Sequence, residues 1–324
     1  MSSNHRKPIQ SLKIFTEKLI DYAGLFPPAN LNLAQSFHNY VFYSQGEYKW
    51  MLNKFVVPSG RLIELSKLIT EMKIGGQIPF SFLGTGGETA PDFNKNFTND
   101  VKNIYEFKNK NRQLVSSDVF EVRLPIEVIE RENNDDMLDL MIDVSTGLEK
   151  ELGAEIPVFF ETETSDQYES IITRTAETIA SLDRNCGFKL RTGGTEAIAF
   201  PKSEQIAFAI MACCEFNIPM KYTAGLHHPI KHFNENISAY FHGFFNVFGG
   251  GILAYTNNLD EKELLGVLND EDPYEFVFKE DGFEWNEIEV SNSQIREARE
   301  KFIISYGSCS FDEPIDDLKT MELL

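Results

Sequence analysis

Six short apolar segments alternate with helical patterns between Lys54 and Gly225, and this alternation most limits the folds open to the chain. Strands separated by whole helices need crossover connections, and such connections build parallel sheets. The predicted strands are Lys54–Val57, Phe80–Gly84, Val119–Pro125, Pro157–Glu163, Phe188–Thr192 and Met220–Ala224. The sequence therefore predicts repeated β/α units that contribute to one parallel sheet.

The number and length of these units favour a TIM-barrel-like (β/α)8 fold, regular or irregular, over a doubly wound sheet. A doubly wound sheet usually opens with a glycine-rich phosphate turn, and Gly84–Gly87 resembles one only weakly. Two further strands are needed to close a barrel, and we expect them at Leu19–Leu25 and in the C-terminal part. We therefore predict one domain over residues 1–324, with 256–324 as a C-terminal extension or cap.

The C-terminal part carries weaker patterns. The segment His242–Tyr255 predicts a buried, glycine-rich helix, and Glu275–Val290 predicts a hairpin or cap. Tyr306–Pro314 (YGSCSFDEP) has the composition of a turn. Near the N-terminus, Leu12–Ile20 has the apolar spacing of a helix.

The charge of the chain limits its partners. The formal net charge is -20 over 324 residues, so the surface repels nucleic acids and anionic membranes. We expect a small anionic molecule as the partner, bound in a local basic pocket, and no nucleic acid or membrane. A homo-oligomer is compatible with the sequence. The N-terminus has no signal-peptide pattern and the four cysteines lack zinc-type spacing, which favours a cytosolic protein with reduced thiols.

Charged residues recur on one face of four consecutive predicted strands. Side chains alternate across a strand, so Glu121 shares a face with Arg123, and Lys221 shares one with Thr223. In a TIM barrel the C-terminal strand ends form the active site. These strands would bring the following charged residues to one mouth: Arg123, Glu161, Glu163, Lys189, Arg191 and Lys221. Ion pairs that fill a polar barrel core are the structural alternative.

Two lysines on adjacent strands point to carbonyl chemistry. Neighbouring ammonium groups lower each other's pKa, and the freed amine of Lys189 or Lys221 could attack a carbonyl to form a Schiff base. Glu161 would then be the acid/base and His227 a second catalytic group. The predicted substrate-binding residues are Arg123, Arg191, Thr192, Thr223, His228, Glu163 and Asp21. In a second interpretation, the cations clamp an anion or stabilise an enolate without covalent chemistry.

The two strand ends resemble those of the deoxyribose-phosphate aldolase-like group of TIM barrels. Lys189–Gly193 is similar to the group's Lys-x-x-Thr-Gly end, and Lys221–Gly225 to its Lys-x-x-Gly-Gly end, with Ala224 in place of the first glycine. The resemblance implies that the first lysine forms the imine and the second tunes it. The turn at Tyr306–Ser310 is similar to the group's late Gly-Ser phosphate-binding turn.

Four of the six histidines follow Lys221 within a short span and support a different chemistry. Together with Glu161 or Glu163 they could form a divalent-metal site, although the spacing fits no H-E-x-x-H motif; they are His227, His228, His232 and His242. Adjacent side chains point apart in an extended loop, so we expect at most one of His227 and His228 to be a ligand. Our leading prediction includes no cofactor and no metal site. A general acid or base is the other function for a histidine here.

Five motifs distributed along the chain together resemble a family of uncharacterised bacterial proteins. They are Asp21–Ala29 (DYAGLFPPA), Lys189–Gly194 (KLRTGG), Tyr222–Pro229 (YTAGLHHP), His242–Phe248 (HGFFNVF) and Gly307–Pro314 (GSCSFDEP). This resemblance implies a grouping and no activity. The sequence thus leaves three functions: a lyase or aldolase with a Schiff-base lysine, a metal-assisted hydrolase or isomerase, and a non-catalytic barrel that binds a small molecule.

Overall fold

A closed barrel of eight parallel strands lies at the centre of the protein in a computed structural model that describes residues 7–74, 76–114, 118–131, 134–162 and 167–324. In chain order the strands are β1 (Ile20–Tyr22), β2 (Leu52–Pro58), β3 (Phe80–Leu83), β4 (Val119–Arg123), β5 (Val158–Glu161), β6 (Cys186–Arg191), β7 (Met220–Thr223), β8 (His232–Asn234), β9 (Ala239–Phe241), β10 (Phe276–Phe278), β11 (Gly282–Trp285), β12 (Ile288–Ser291) and β13 (Ile303–Ser308). The order around the barrel is β1-β13-β7-β6-β5-β4-β3-β2. The predicted TIM-barrel-like fold is confirmed.

Helices cover the outside of this barrel and extend its C-terminal part. They are α1 (Gln10–Thr16), α2 (Leu33–Tyr43), α3 (Leu62–Met72), α4 (Ala90–Lys110), α5 (Ile126–Glu130), α6 (Asn134–Leu152), α7 (Tyr168–Ser181), α8 (Ser203–Glu215), α9 (Phe244–Asn257), α10 (Glu261–Asn269), α11 (Asn292–Lys301) and α12 (Asp312–Thr320). Short 3₁₀ turns lie at Ser59–Arg61, Ala197–Ala199 and Pro273–Glu275. Because helices lie against the outer face, the outward strand residues are apolar, and Phe82, Phe120, Phe160 and Phe188 are fully buried.

The connection between β7 and β13 is much longer than any other in the barrel. It contains the β8–β9 hairpin, the helices α9 and α10, a small antiparallel sheet of order β10-β11-β12, and α11. That sheet agrees with the hairpin predicted over Glu275–Val290, and α9 agrees with the predicted glycine-rich helix. Residues 256–324 also supply β13, so this part of the chain completes the barrel wall as well as extending it.

Two local predictions are wrong for identifiable reasons. The predicted turn Tyr306–Pro314 begins inside a strand, because Tyr306 to Ser308 pair in parallel with β1 and Tyr306–Gly307 with β7. The predicted helix Leu12–Ile20 ends at Thr16, because Lys18 adopts a left-handed backbone conformation with φ of 49° and Ile20 begins β1.

Within the described part of the chain, one helical segment has the length and hydropathy of a membrane span, Ala197–Glu215. Half of this segment is buried inside the protein. Its helix α8 packs against α7, α9 and α10, and these contacts account for its apolar composition.

Candidate active site

A cavity of about 620 Å³ opens at the C-terminal ends of the barrel strands, where a TIM barrel carries its active site. The strand ends form its floor, while the β8–β9 hairpin and the Phe26–Pro28 turn form part of its wall. The titratable side chains that line it are Glu121, Glu161, Lys189, Arg191, His227, His228, Cys309 and Glu313. Apolar walls around a few polar groups are typical of a site for a small molecule.

Below this cavity, charges of alternating sign form a continuous chain across the barrel interior. We call it the ion chain, and its members in order are Arg191, Glu161, Lys189, Glu121, Lys221 and Asp21. Lys189 Nζ lies 2.7 Å from Glu121 Oε2 and 3.0 Å from Glu161 Oε2. Lys221 Nζ bonds to Glu121 and lies 2.8 Å from Asp21 Oδ2. Each inner member of the chain is therefore held between two opposite charges.

Strand register explains why these residues meet. Glu161 pairs with Lys189 across β5 and β6, and Lys189 pairs with Lys221 across β6 and β7. All three side chains point inward because their outward neighbours, including Leu190 and Tyr222, are buried under the helices. Of the six charged residues predicted to converge, the fold therefore brings together four: Glu161, Lys189, Arg191 and Lys221.

Hydrogen bonds from neighbouring strands satisfy the remaining acceptor positions of the ion chain. Asp21 accepts bonds from Asn53 Nδ2 at 2.7 Å, from the Lys54 backbone N–H at 3.0 Å and from Ser305 Oγ at 2.6 Å. Glu121 accepts a further bond from Ser81 Oγ at 2.6 Å. A buried charge is tolerated when it is paired and fully hydrogen-bonded, and these carboxylates meet that condition.

The carboxylates reverse the pKa shift that the sequence predicted for the lysines. Burial alone would lower the pKa of Lys189, but Glu121 and Glu161 outweigh it, and the pKa is raised. Burial is likewise outweighed at Lys221 by Asp21 and Glu121, and its pKa is raised. The expectation that the two lysines lower each other's pKa is therefore wrong, because Glu121 lies between their ammonium groups.

The two lysines also differ in their access to the cavity. Lys189 lines it, whereas Lys221 and Asp21 are not among the described residues that line it. Both lysines are almost fully buried, with 3% of Lys189 and 2% of Lys221 exposed, so contact with the cavity is what separates them. Of the two lysines predicted to be catalytic, Lys189 is therefore the one placed to touch a ligand.

The other predicted strand-end residues separate into lining and structural positions. Arg191 lines the cavity with 48% of its side chain exposed, and Thr223 lines it as well. Arg123 is exposed at the end of β4 but is not among the described lining residues. Thr192 is buried and its hydroxyl donates to the Ala224 carbonyl at 2.6 Å, so it joins two strand-end turns.

The adjacent histidines both line the cavity and each has its own carboxylate on α12. His227 Nδ1 lies 2.8 Å from Glu313 Oε2, and His228 Nδ1 lies 2.6 Å from Asp317 Oδ2. The Nε2 atom of His227 faces the sulfur of Cys309 at 3.7 Å. Burial would lower the pKa of His227, but Cys309 and Glu313 outweigh it and raise the pKa to about 9.

The metal alternative finds no support in the part of the chain that the structure describes. Glu163, predicted both to bind substrate and to ligate a metal, lies outside the described residues. Among the described residues, no group of three or more His, Cys, Asp or Glu side chains is arranged to hold a metal ion.

Sequence reasoning missed three residues that contribute to the site: Glu121, Cys309 and Glu313. Glu121 shares a strand face with Arg123, so the alternation that predicted Arg123 at the barrel mouth also predicts an inward Glu121. Cys309 and Glu313 belong to the Gly307–Pro314 motif, whose resemblances imply a grouping and a phosphate-binding turn but no role for a thiol or a carboxylate. No protein-family model matches this chain, and no curated protein gives a significant match to it.

The ion chain should make folding stability sensitive to acid. Burial would raise the pKa of Glu121 and Glu161, but the cations beside them outweigh it and lower both. In the unfolded state these carboxylates have a pKa of about 4.3, and above that pH they contribute fully to stability. The contribution is lost as pH falls through their lower pKa values in the folded state. We expect the free energy of unfolding, measured in urea, to fall below about pH 4.5, and Glu161→Gln to fall less steeply. An equally steep fall in that variant would contradict the assignment.

Proposed function

We propose that the protein is an enzyme of the lyase or aldolase type that acts on a small anionic carbonyl compound, with Lys189 as the cation that stabilises an enolate oxygen. The observation that carries this proposal is the position of Lys189. It lines the cavity, is held by carboxylates on two sides, and has a raised pKa, so it stays positively charged at neutral pH.

The ammonium group of Lys189 has donor capacity left for a substrate. It carries three N–H donors, and the described ion pairs account for two of them, to Glu121 and Glu161. A third N–H is thus available for a carbonyl oxygen in the cavity. A fixed positive donor at the oxygen where negative charge develops lowers the barrier to enolate formation.

The position and free donors of Arg191 among the described contacts favour an anionic substrate. Among these contacts Glu161 uses only the Nε–H of Arg191, at 3.1 Å, and Arg191 lines the cavity with nearly half of its side chain exposed. The two terminal nitrogens form a planar pair of donors that suits a carboxylate or phosphate. In our proposal Arg191 binds the anionic group of the substrate and Lys189 contacts its carbonyl.

Two residues that line the same cavity are candidates for the base and the acid of the reaction. Glu161 is ionised, lines the cavity and contacts Lys189, so in our proposal it accepts a proton from the carbon next to the carbonyl. The cations that lower its pKa also weaken it as a base. His227 has a pKa raised to about 9, so it is largely protonated at neutral pH and can act as the acid. These groups can break or form a C–H or C–C bond beside a carbonyl.

A Schiff base on Lys189 is the second candidate, favoured by the two carboxylates that touch the amine. Imine formation requires the ammonium to transfer a proton to Glu121 or Glu161, after which the amine attacks the carbonyl carbon and water leaves. Both carboxylates lie within 3.0 Å of Nζ, so the proton has an acceptor. The raised pKa of Lys189 opposes this route, which is why we rank it second.

The proposal predicts exchange of substrate protons in heavy water. Pyruvate, 2-oxobutyrate and dihydroxyacetone phosphate serve as probes, and NMR follows loss of the protons beside the carbonyl. We expect exchange with the native protein and a loss of about 100- to 1,000-fold in Lys189→Met. Lys221→Met is the matched control, since it also removes a buried lysine from the ion chain but one that does not line the cavity. Both variants lose a buried ion-pair partner, so each is assayed as folded protein, and folded Lys221→Met should keep most of the activity. Arg191→Gln should raise KM more than it lowers kcat.

Borohydride reduction of the same mixtures separates the two mechanisms. A mass adduct on Lys189 would establish the imine, whereas exchange without an adduct supports the enolate. If no probe exchanges faster with the native protein than with Lys189→Met, both mechanisms fail for these substrates.

A further inference from the structure

A cysteine, a histidine and a glutamate meet at one side of the cavity in the order expected of a nucleophile, its base and an orienting carboxylate. Cys309 Sγ lies 3.7 Å from His227 Nε2, and His227 Nδ1 lies 2.8 Å from Glu313 Oε2. All three residues line the cavity. We call this arrangement the Cys-His-Glu cluster, and it includes neither Lys189 nor Arg191.

Three separate elements of the fold build the cluster. Cys309 directly follows β13, His227 lies in the segment after β7, and Glu313 lies in the first turn of α12. The Glu313 backbone N–H donates to Ser310 Oγ at 3.2 Å, which ties the start of α12 to the turn that carries the cysteine. Because Glu313 accepts a bond at Nδ1, the other ring nitrogen is directed at the sulfur.

The surroundings of Cys309 differ from those of the other three cysteines. Burial raises the pKa of Cys186 and Cys214 to about 12, and that of Cys213 well above its ordinary value. Cys309 instead has the Nε2 atom of His227 at 3.7 Å from its sulfur. An imidazole in that position can take the thiol proton and leave a thiolate beside an imidazolium, and the thiolate is the reactive form of cysteine.

We propose that Cys309 is a nucleophile for a small aldehyde or ketone in this cavity, with His227 as its proton-transfer partner and Glu313 as the positioning residue. The thiolate sulfur attacks the carbonyl carbon, so a C–S bond forms and the π pair of the carbonyl moves to oxygen. The imidazolium Nε2–H then gives its proton to that oxygen. The products are a neutral hemithioacetal (a hemithioketal from a ketone) and a neutral imidazole, and no oxidant or reductant is required.

The proposal is tested by the rate at which iodoacetamide alkylates each cysteine of the full-length protein, followed by peptide mass spectrometry between pH 5 and 9. We expect Cys309 to react about 10-fold or more faster than Cys214 at pH 6.5. His227→Gln should slow Cys309 by about 10-fold at that pH. His228→Gln is the matched control: it changes the neighbouring histidine, which pairs with Asp317 and not with the sulfur, and should leave the rate unchanged.

The carbonyl part of the proposal has its own measurement. Glyoxylate and glycolaldehyde should slow alkylation of Cys309 in proportion to their concentration and leave Cys214 unaffected. Free thiols ionise near about pH 8.5. If Cys309 reacts only near that pH, and reacts at the same rate in folded His227→Gln, then Cys309 is not an activated thiolate. Unchanged alkylation in the presence of both aldehydes would overturn the carbonyl ligand. Lys189→Met should not alter alkylation, so this test does not depend on the enolate mechanism.

Discussion

Replacing Glu121 with glutamine should destabilise the folded protein by about 3–5 kcal/mol, the cost of removing one partner from a buried ion pair. Glu121 is almost fully buried and bonds to Lys189, Lys221 and Ser81. Glutamine keeps the shape of the side chain but leaves two buried ammonium groups without the charge between them. The midpoint of urea denaturation at pH 7 measures the effect.

Glu64→Gln is the matched control for this prediction. Glu64 pairs with Arg61 at 2.8 Å on the surface, with 54% of its side chain exposed, and an exposed pair contributes about 0–1 kcal/mol. If Glu64→Gln and Glu121→Gln lower the free energy of unfolding by comparable amounts, the ion chain stabilises the fold no more than an exposed surface pair does.

A double variant separates charge from packing. Glu121→Gln leaves the ion chain with one excess positive charge, although Lys189 keeps Glu161 and Lys221 keeps Asp21. Adding Lys221→Met removes that excess charge, so part of the lost stability should return. If the double variant is instead as unstable as the sum of the two single variants, the loss comes from packing rather than from unpaired charge.

The inward charges of the barrel were predictable because alternation along a strand is a local property. Phe188 and Tyr222 are apolar and alternate with Lys189 and Lys221, so a helix-covered outer face requires both lysines to point inward. Their proximity followed from the consecutive order of β6 and β7, since neighbouring β/α units usually give neighbouring strands.

The depth of each charge was not predictable because it depends on the stagger between strands. Glu121 and Arg123 share one face of β4, but the register pairs Glu121 with Phe159 and Arg123 with Glu161. This stagger places Glu121 inside the barrel, between the two lysines, and leaves Arg123 exposed at the rim. Stagger is a property of the closed barrel and leaves no pattern in any single segment.

The Cys-His-Glu cluster depends on contacts that are still more distant in sequence. Cys309 is 82 residues from His227, and Glu313 is 86 residues from it. These residues meet only because β13 inserts between β7 and β1 after the long C-terminal connection. Helical or strand periodicity cannot report such a contact, so a role for His227 is predictable from the sequence but its partners are not.

Gly225→Ala should have the second large effect, a loss of about 2–5 kcal/mol, because left-handed backbone strain and overpacking add at this position. Gly225 has φ of +81°, and an added Cβ would lie 2.3 Å from the Thr192 carbonyl oxygen and 3.0 Å from Gly193 Cα. The glycine-bearing turns that follow the two lysine strands are therefore in direct backbone contact, and this contact sets the positions of Arg191 and His227 at the cavity. Gly60→Ala is the control, since its Cβ would meet nothing within 4 Å. Urea denaturation measures both variants, and equal midpoints would show that the mouth of the barrel tolerates separation of these turns.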